Sequence, residues 1–254
     1  MSAASAALAP AGAELAGDLL GAARAGHLQR AREISGRLDA VDPTALHGDH
    51  ERLAFWINVY NARVLHELGE RPRHGSLIRH SLIGRLFARV GYSVGGKYFT
   101  LDHIEHGLLR RNARPPFALR RTLARDDSRL AAAPSRLDPR IHFALNCAAR
   151  SCPPIHSYEA GGVSDQLSLA TRSYLESEVS IDRSAGEVTL PYLVRLYAPD
   201  FGDRAAALEF VAAHLPENDR EWLLSEAGRE ARIRFGGYDW TIASEATTRR
   251  RSRS

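Results

Sequence analysis

The stretch from His142 to Pro154 reads His-Phe-Ala-Leu-Asn-Cys-Ala-Ala-Arg-Ser-Cys-Pro-Pro and gathers two thiols, a guanidinium and an imidazole within thirteen residues. A thiol attacks as its thiolate, so it needs a neighbour that lowers its pKa or accepts its proton. Arg150, His142 and the sequence-distant His106 are the groups available. Cys147 sits where an alternating run, Arg140 to Asn146, gives way to a loop, which makes it the better placed nucleophile, with Arg150 and Cys152 beyond it. Against this stands the ordinary behaviour of cysteine as a small buried hydrophobe. His142, Cys147, Cys152 and His156 also form a conceivable zinc set, but closed zinc sites pair ligands roughly two to four apart with a longer interval between pairs. Here the intervals are four, four and three residues, and Pro153 and Pro154 stiffen the chain where it would wrap around an ion. No metal and no cofactor is expected.

Two further groups of polar residues fall where apolar ones would be usual. After Thr100, helical spacing puts Leu101, Ile104 and Leu108 on one face with Glu105 among them. A carboxylate there must be paired, protonated or functional, and Arg63 or Arg150 are possible partners. His106 points roughly 100° away, so the two are expected to do different jobs. In the helical pattern that begins at Asp49, Asn61 lies at the edge of the apolar stripe and Asn58 just beyond it. Either amide could orient an imidazole or line an oxyanion site. The plainer alternative, stronger for Asn58, is an amide that ties the helix to a loop.

Periodicity supplies the elements that position these groups. Helical patterns cover about 13–25 and 27–40, and a third starts at Asp49 as N-cap and ends near Gly69, with Leu53, Trp56, Ile57, Tyr60, Val64 and Leu68 on one stripe. Tyr92 to Val94 and Lys97 to Phe99 flank a Gly95–Gly96 turn, and Thr100 caps a helix over about 101–111. Residues 112–138 read as loop with one short helix near 117–125, and 140–146 as a central strand. A helix over 164–177 capped by Ser164, a hairpin across 179–190, helices near 191–198, 203–214 and 217–227 and a strand near 231–235 follow. The expectation is an α+β fold: a small, mostly antiparallel sheet covered by helices, with an N-terminal helical hairpin. Residues 1–12 and the basic tail 244–254 read as disordered ends around a single globular domain over 13–243.

Composition narrows the function classes. A chain of 254 residues with two cysteines needs no disulfide framework, which fits a reducing, cytoplasmic setting. The N-terminus has no basic residue before Arg24 and carries Glu14 and Asp18, unlike a signal peptide, and no apolar run is long enough to span a membrane. The net charge of +4 comes with acidic residues interspersed almost throughout, so a nucleic-acid partner is not expected. No phosphate loop, dinucleotide fingerprint, Gly-x-Ser-x-Gly elbow or His-Glu-x-x-His occurs.

The segments AFWINVYNARVL (54–65), YFTLDHIEHGLLR (98–110), DPRIHFALNCAARSCPP (138–154), DFG (200–202) and YDW (238–240) together resemble the family called domain of unknown function 547, over roughly 50–243. The resemblance implies that Asn58, Tyr60 and Asn61 belong to its asparagine helix, Asp102, Glu105 and His106 to its acidic helix, and His142, Asn146, Cys147 and Cys152 to its thiol loop. Relatives in plants keep a cysteine at the place of Cys147 and often show serine at that of Cys152. Ala148 stands where glycine is usual, which makes the loop less free to adopt positive φ. Many plant relatives add a coiled coil, and no heptad run appears here.

These readings lead to a thiol-dependent hydrolase or transferase acting on an amide or ester. Cys147 is the nucleophile, His106 or His142 the base, and Glu105 or Asn61 the group that orients it. Asn58, Asn146, Arg150 and Cys152 would line the ligand site. The alternative is a non-catalytic module whose buried polar network shapes a groove for a small-molecule or peptide ligand. A third idea is a redox-sensing bridge between Cys147 and Cys152. Oligomeric state is open.

Overall fold

The protein is described by a computed structural model over residues 8–70, 86–116 and 118–242. Helices α1 (Leu8–Arg24) and α2 (Leu28–Arg37) form the expected hairpin, turning at Gly26 with φ +74°. Leu19, Leu20, Ala31, Ile34 and Leu38 are buried against the next helix, α3 (Gly48–Glu70). Helix α1 begins at Leu8, inside the segment expected to lack structure; residues 1–7 and the expected disordered tail 244–254 lie outside the described residues.

The third helix differs from a surface helix with one apolar stripe. Every residue from Leu53 to Ala62 is buried, so α3 is the central element with packing on all sides. Trp56 packs edge-on to Phe55 and tilted on Phe99, both at 4.8 Å, and its indole N–H donates to Ala132 O at 3.0 Å. Asp49 is not its N-cap: the helix starts one residue earlier, Glu51 accepts from the His47 N–H, and the Asp49 carboxylate accepts from Ser135 N and Oγ.

Strands β1 (Gly91–Val94) and β2 (Lys97–Thr100) pair antiparallel across Gly95 and Gly96, whose φ values of +57° and +72° suit a two-residue hairpin turn. A second sheet follows helix α4 (Val163–Glu178): β3 (Ser180–Asp182) pairs antiparallel with β4 (Glu187–Leu190), and β4 pairs parallel with β5 (Arg232–Phe235). Helices α5 (Tyr192–Leu196), α6 (Arg204–Ala212), α7 (Glu217–Leu224) and α8 (Glu226–Glu230) lie between β4 and β5 in sequence. The architecture is α+β, with the strands divided between two small sheets and the N-terminal helix pair as expected.

Three expectations for the middle of the chain change. Residues 140–146 are not a strand. Asp138 accepts from Arg140 N, Pro139 opens a 3₁₀ turn over Pro139–Phe143, and the turn continues with Leu145 N donating to Ile141 O. The apolar alternation of this segment serves two cores instead of two sheet faces: Ile141 and Leu145 pack with α1–α3, whereas Phe143 packs with Tyr174, Phe201 and Phe210 around the second sheet. Residues 118–125 form no helix; the short helix lies at Ser128–Ala132, capped by Asp127. Helix α4 is not capped by Ser164, whose carbonyl and hydroxyl accept from Arg140.

The segments between the cores hang on two asparagines of α3, both fully buried. Asn58 donates to Tyr158 O at 2.8 Å and accepts from Tyr158 N at 3.0 Å. Asn61 donates to Ala144 O at 2.9 Å and accepts from Asn146 N at 3.0 Å. Each amide acts on an unpaired loop as the next strand of a sheet would. Asn61→Ala leaves a buried N–H and a buried C=O without partners and is expected to cost about 2–4 kcal/mol, read as a lowered urea midpoint.

Candidate functional site

The thiol loop begins where Asn61 lets go. Asn146 is itself a clamp, its amide donating to Pro153 O at 2.6 Å and accepting from Ala148 N at 2.6 Å. This draws 146–153 into a closed loop and carries Ala148 to φ +72°, the left-handed conformation that glycine at this place would reach without strain. From outside, the segment 238–242 is laid against the loop: Arg150 N donates to Thr241 O, Asp239 N donates to Ser151 Oγ, and Ala149 bridges Ile242. Tyr238 thereby reaches both sulfurs, with its hydroxyl 3.2 Å from Cys152 Sγ and 3.9 Å from Cys147 Sγ. The sulfurs are 2.9 Å apart, and the Cys147 N–H donates to Cys152 Sγ at 3.1 Å.

Facing the thiols across a cavity of about 770 Å³ is the segment after β2. Thr100 caps it as expected, Oγ1 accepting from His103 N, but the winding then widens into a π-helix over His103–Leu109, a form often found at functional sites. The wider turn brings Glu105 and His106 to the same cavity, 3.8 Å apart, where ordinary helical spacing would have separated them. Glu105 accepts from Tyr197 at 2.6 Å and from Tyr60 at 2.9 Å; neither Arg63 nor Arg150 is its partner. Arg63 bonds Glu67, and Arg150 lies on the surface 3.9 Å from Asp239. Arg110, one turn on, reaches His106 Nδ1 at 3.0 Å and holds Asp200 through two bonds of 2.5 and 2.9 Å. Asp200 also meets His142 Nε2 at 2.8 Å, and the His142 ring stacks on Tyr197 at 3.8 Å.

The electrostatics follow from one guanidinium set among two ionised carboxylates. Burial disfavours the Glu105 charge, but His106, the Tyr197 hydroxyl, His142 and Arg110 outweigh it and lower its pKa. Burial also lowers both imidazoles, against the pull of the carboxylates. Glu105 is thus held by two tyrosine hydroxyls, at 2.6 and 2.9 Å, with both imidazoles and Arg110 close by. Asp200 overcomes its burial through His142 and Arg110. A third carboxyl on the cavity wall, Asp102, meets only His106 Nε2 at 4.0 Å, and burial together with the Glu105 charge raises it to about 7. In the dithiol, burial opposes ionisation, but hydrogen bonds from Cys147, Tyr238 and the backbone lower the Cys152 thiol. Cys147, which supplies that proton, is raised by the bond to Cys152 and by burial. The pair gives up one proton readily and the second with difficulty.

Five of the nine expected site residues, Cys147, Cys152, Glu105, His106 and His142, open on the one cavity. Asn58, Asn61 and Asn146 hold backbone behind it, and Asn61 touches no imidazole. Arg150 faces away from the thiols, bonded at the surface. His156 is exposed and His142 is turned to Asp200, so the four groups weighed as zinc ligands are not gathered. The sequence reading missed Asp200, Tyr238, Tyr197 and Arg110. Asp200 and Tyr238 stand in the DFG and YDW segments, whose quotation was the available signal; Tyr197 has none in the sequence.

Fold and site define an α+β domain built around a dithiol cavity. The family described as protein of unknown function, DUF547, matches residues 43–175, just over half of the 254 residues, and the chain belongs to that family. The matched span carries the asparagine helix, the π-helix and the thiol loop, while Asp200 and Tyr238 come from beyond it. No curated protein and no solved structure matches the chain. Among the described residues, no helix is long and apolar enough to cross a membrane.

Two outcomes follow from this geometry. Ala148→Gly removes left-handed strain at the cost of a more flexible unfolded chain and is expected to stabilise by about 0.5–1 kcal/mol in urea titration. Asp102 has a folded pKa above its unfolded value, so the native state holds the extra proton between about pH 4 and about 7 and loses the associated stability as pH rises through that window. Asp102→Asn should accordingly flatten the decline in melting temperature across the window, and an unchanged slope would mean the carboxyl is not desolvated.

Proposed function

We propose that the protein is a thiol-dependent hydrolase or transferase acting on an amide or ester, with Cys147 as nucleophile. The observation that carries the reading is convergence: Cys147, a half-buried residue, lines the same cavity as Glu105, His106 and His142. A cavity of about 770 Å³ is within the size range of small-molecule sites, and apolar walls such as Phe87, Leu196 and Trp240 suit an acyl chain or side chain.

Neither imidazole is within hydrogen-bond reach of Cys147, whose immediate proton acceptor is Cys152 at 2.9 Å. Proton transfer to Cys152 frees the Cys147 thiolate, which attacks the carbonyl carbon and forms a thioester as the amine or alcohol leaves. Asp102, protonated near neutral pH, supplies the leaving group's proton. Asp102, left ionised by that transfer, then takes a proton from the water or acceptor that cleaves the thioester, and His106, its Nδ1 held by Arg110, places Nε2 4.0 Å from that carboxylate. His142, fixed by Asp200 and Tyr197, braces the wall against which the acyl group lies. The thiols belong to a reducing, cytoplasmic setting in this reading.

Iodoacetamide labelling of the native protein against pH is the first test. The expected midpoint for the dithiol lies below the free-thiol value of about 8.5. Turnover of a panel of p-nitrophenyl esters and anilides should fall by roughly 10³-fold or more in Cys147→Ser. Labelling only on unfolding, or turnover untouched by the substitution, would exclude the enzyme and leave a ligand-binding module.

A further inference from the structure

We propose that Cys147 and Cys152 are also a redox couple that reduces an organic disulfide lacking negative charge while closing to an intramolecular disulfide. This stands on the geometry of the pair, whether or not the cavity carries out acyl chemistry. The sulfurs, 2.9 Å apart, need to approach by less than about 1 Å to reach the bonding distance of about 2.05 Å. The backbone that would resist is already closed: Cys152 N donates to Ala149 O at 3.0 Å, and Asn146 ties both ends of the loop.

The two thiols are unequal in the way exchange requires. Both border the cavity, but Cys147 is partly exposed whereas Cys152 is only 5 % exposed. Cys147, its proton passed to Cys152, attacks one sulfur of the substrate disulfide; that S–S bond breaks and the first thiolate leaves, taking up this proton from Cys152. Cys152 Sγ, a thiolate again once it has given up that proton, attacks Cys147 Sγ and breaks the mixed disulfide, and the second thiolate leaves and takes up from solvent the proton that Cys152 released when the pair first ionised. Two protein thiols are oxidised to one disulfide, and one substrate disulfide is reduced to two thiols. Tyr238, 3.2 Å from Cys152 Sγ, stabilises the thiolate charge while it waits.

Charge and size select the substrate. The cavity side of the network holds the Glu105 and Asp200 charges against the single guanidinium of Arg110, with Asp102 adding charge as it ionises near pH 7. An anionic disulfide is repelled there and a cationic one attracted, and about 770 Å³ leaves room for both arms of the molecule.

The experiment treats the reduced, full-length protein with cystamine, glutathione disulfide or hydrogen peroxide at equal concentration, without any acyl substrate. Acid quenching and peptide mass spectrometry then read the state of both cysteines. Cystamine is expected to remove two hydrogens from the peptide containing Cys147 and Cys152, about tenfold faster than glutathione disulfide. Cys152→Ser should instead accumulate a cystamine adduct on Cys147, and Cys147→Ser should react at least about tenfold more slowly than the native protein. Circular dichroism checks that both variants fold, and the native-protein arm needs neither. Two thiols still open to alkylation after cystamine, equal adduct formation in both variants, or faster closure by peroxide or glutathione disulfide would overturn the proposal.

Discussion

The structure depends on two side-chain amides placed three residues apart on a helix that has no solvent face. A buried loop carries backbone N–H and C=O groups that water cannot reach, so it exists only where something else satisfies them. Asn58 and Asn61 do this for Tyr158 and for the Ala144–Asn146 turn, each offering one donor and one acceptor in the spacing of a β-ladder. Asn146 repeats the device one step further along the chain. Through this relay the rigidity of α3 passes to the loop that carries the thiols, without a strand beneath it.

The same economy of partners shapes the charge network. Among the described residues Arg110 is the one guanidinium that touches the cluster, and it is committed to Asp200 by two hydrogen bonds. Glu105 must therefore be satisfied by neutral donors, and burial and its charge in turn hold Tyr60 and Tyr197 protonated. A buried carboxylate bonded to hydroxyls rather than to a guanidinium, as Glu105 is, keeps more of its field in the cavity than a paired charge would. That residual field adds to burial in raising Asp102.

Much of this was legible in the sequence, and the failures have physical causes. The helices of the N-terminal hairpin, α3, the Gly95–Gly96 turn and the hairpin before α5 follow from periodicity and turn chemistry, because there local preference and tertiary packing agree. The segment 140–146 misled because alternation signals two faces, and a 3₁₀ turn wedged between two cores also has two faces. The helix after Thr100 was found but its winding was not: a π-turn leaves no mark on composition, yet it decides that Glu105 and His106 share a cavity. The thiols, the carboxylate and both histidines were visible by type. Tyr197 was not, since a tyrosine on a short helix has no signature, and Asn61 looked catalytic because a buried amide in a helix reads alike whether it meets an imidazole or a backbone.

The position of the cavity follows from the way the chain divides its apolar residues. Ile141, Ala144 and Leu145 belong to the core around α3, and Phe143 to the core around the second sheet, so the chain between them must cross the seam. His142 lies at that crossing and can neither join an apolar core nor reach water, which is why it is stacked on Tyr197 and bonded to Asp200. Asp200 and Tyr197 come from the far core, Glu105 and Arg110 from the near one, and Tyr197 finds Glu105 and Asp200 finds Arg110 only when the two cores are in register. A polar network that is satisfied in one arrangement alone fixes that arrangement more sharply than apolar contact would, because sliding the cores leaves buried charges unpaired while oily surfaces still touch. On this argument the groups that line the cavity also set the geometry of the seam. Substitutions within the network are accordingly expected to affect folding and site chemistry together, whereas those at the thiols, which sit on a loop closed by Asn146, affect the chemistry alone.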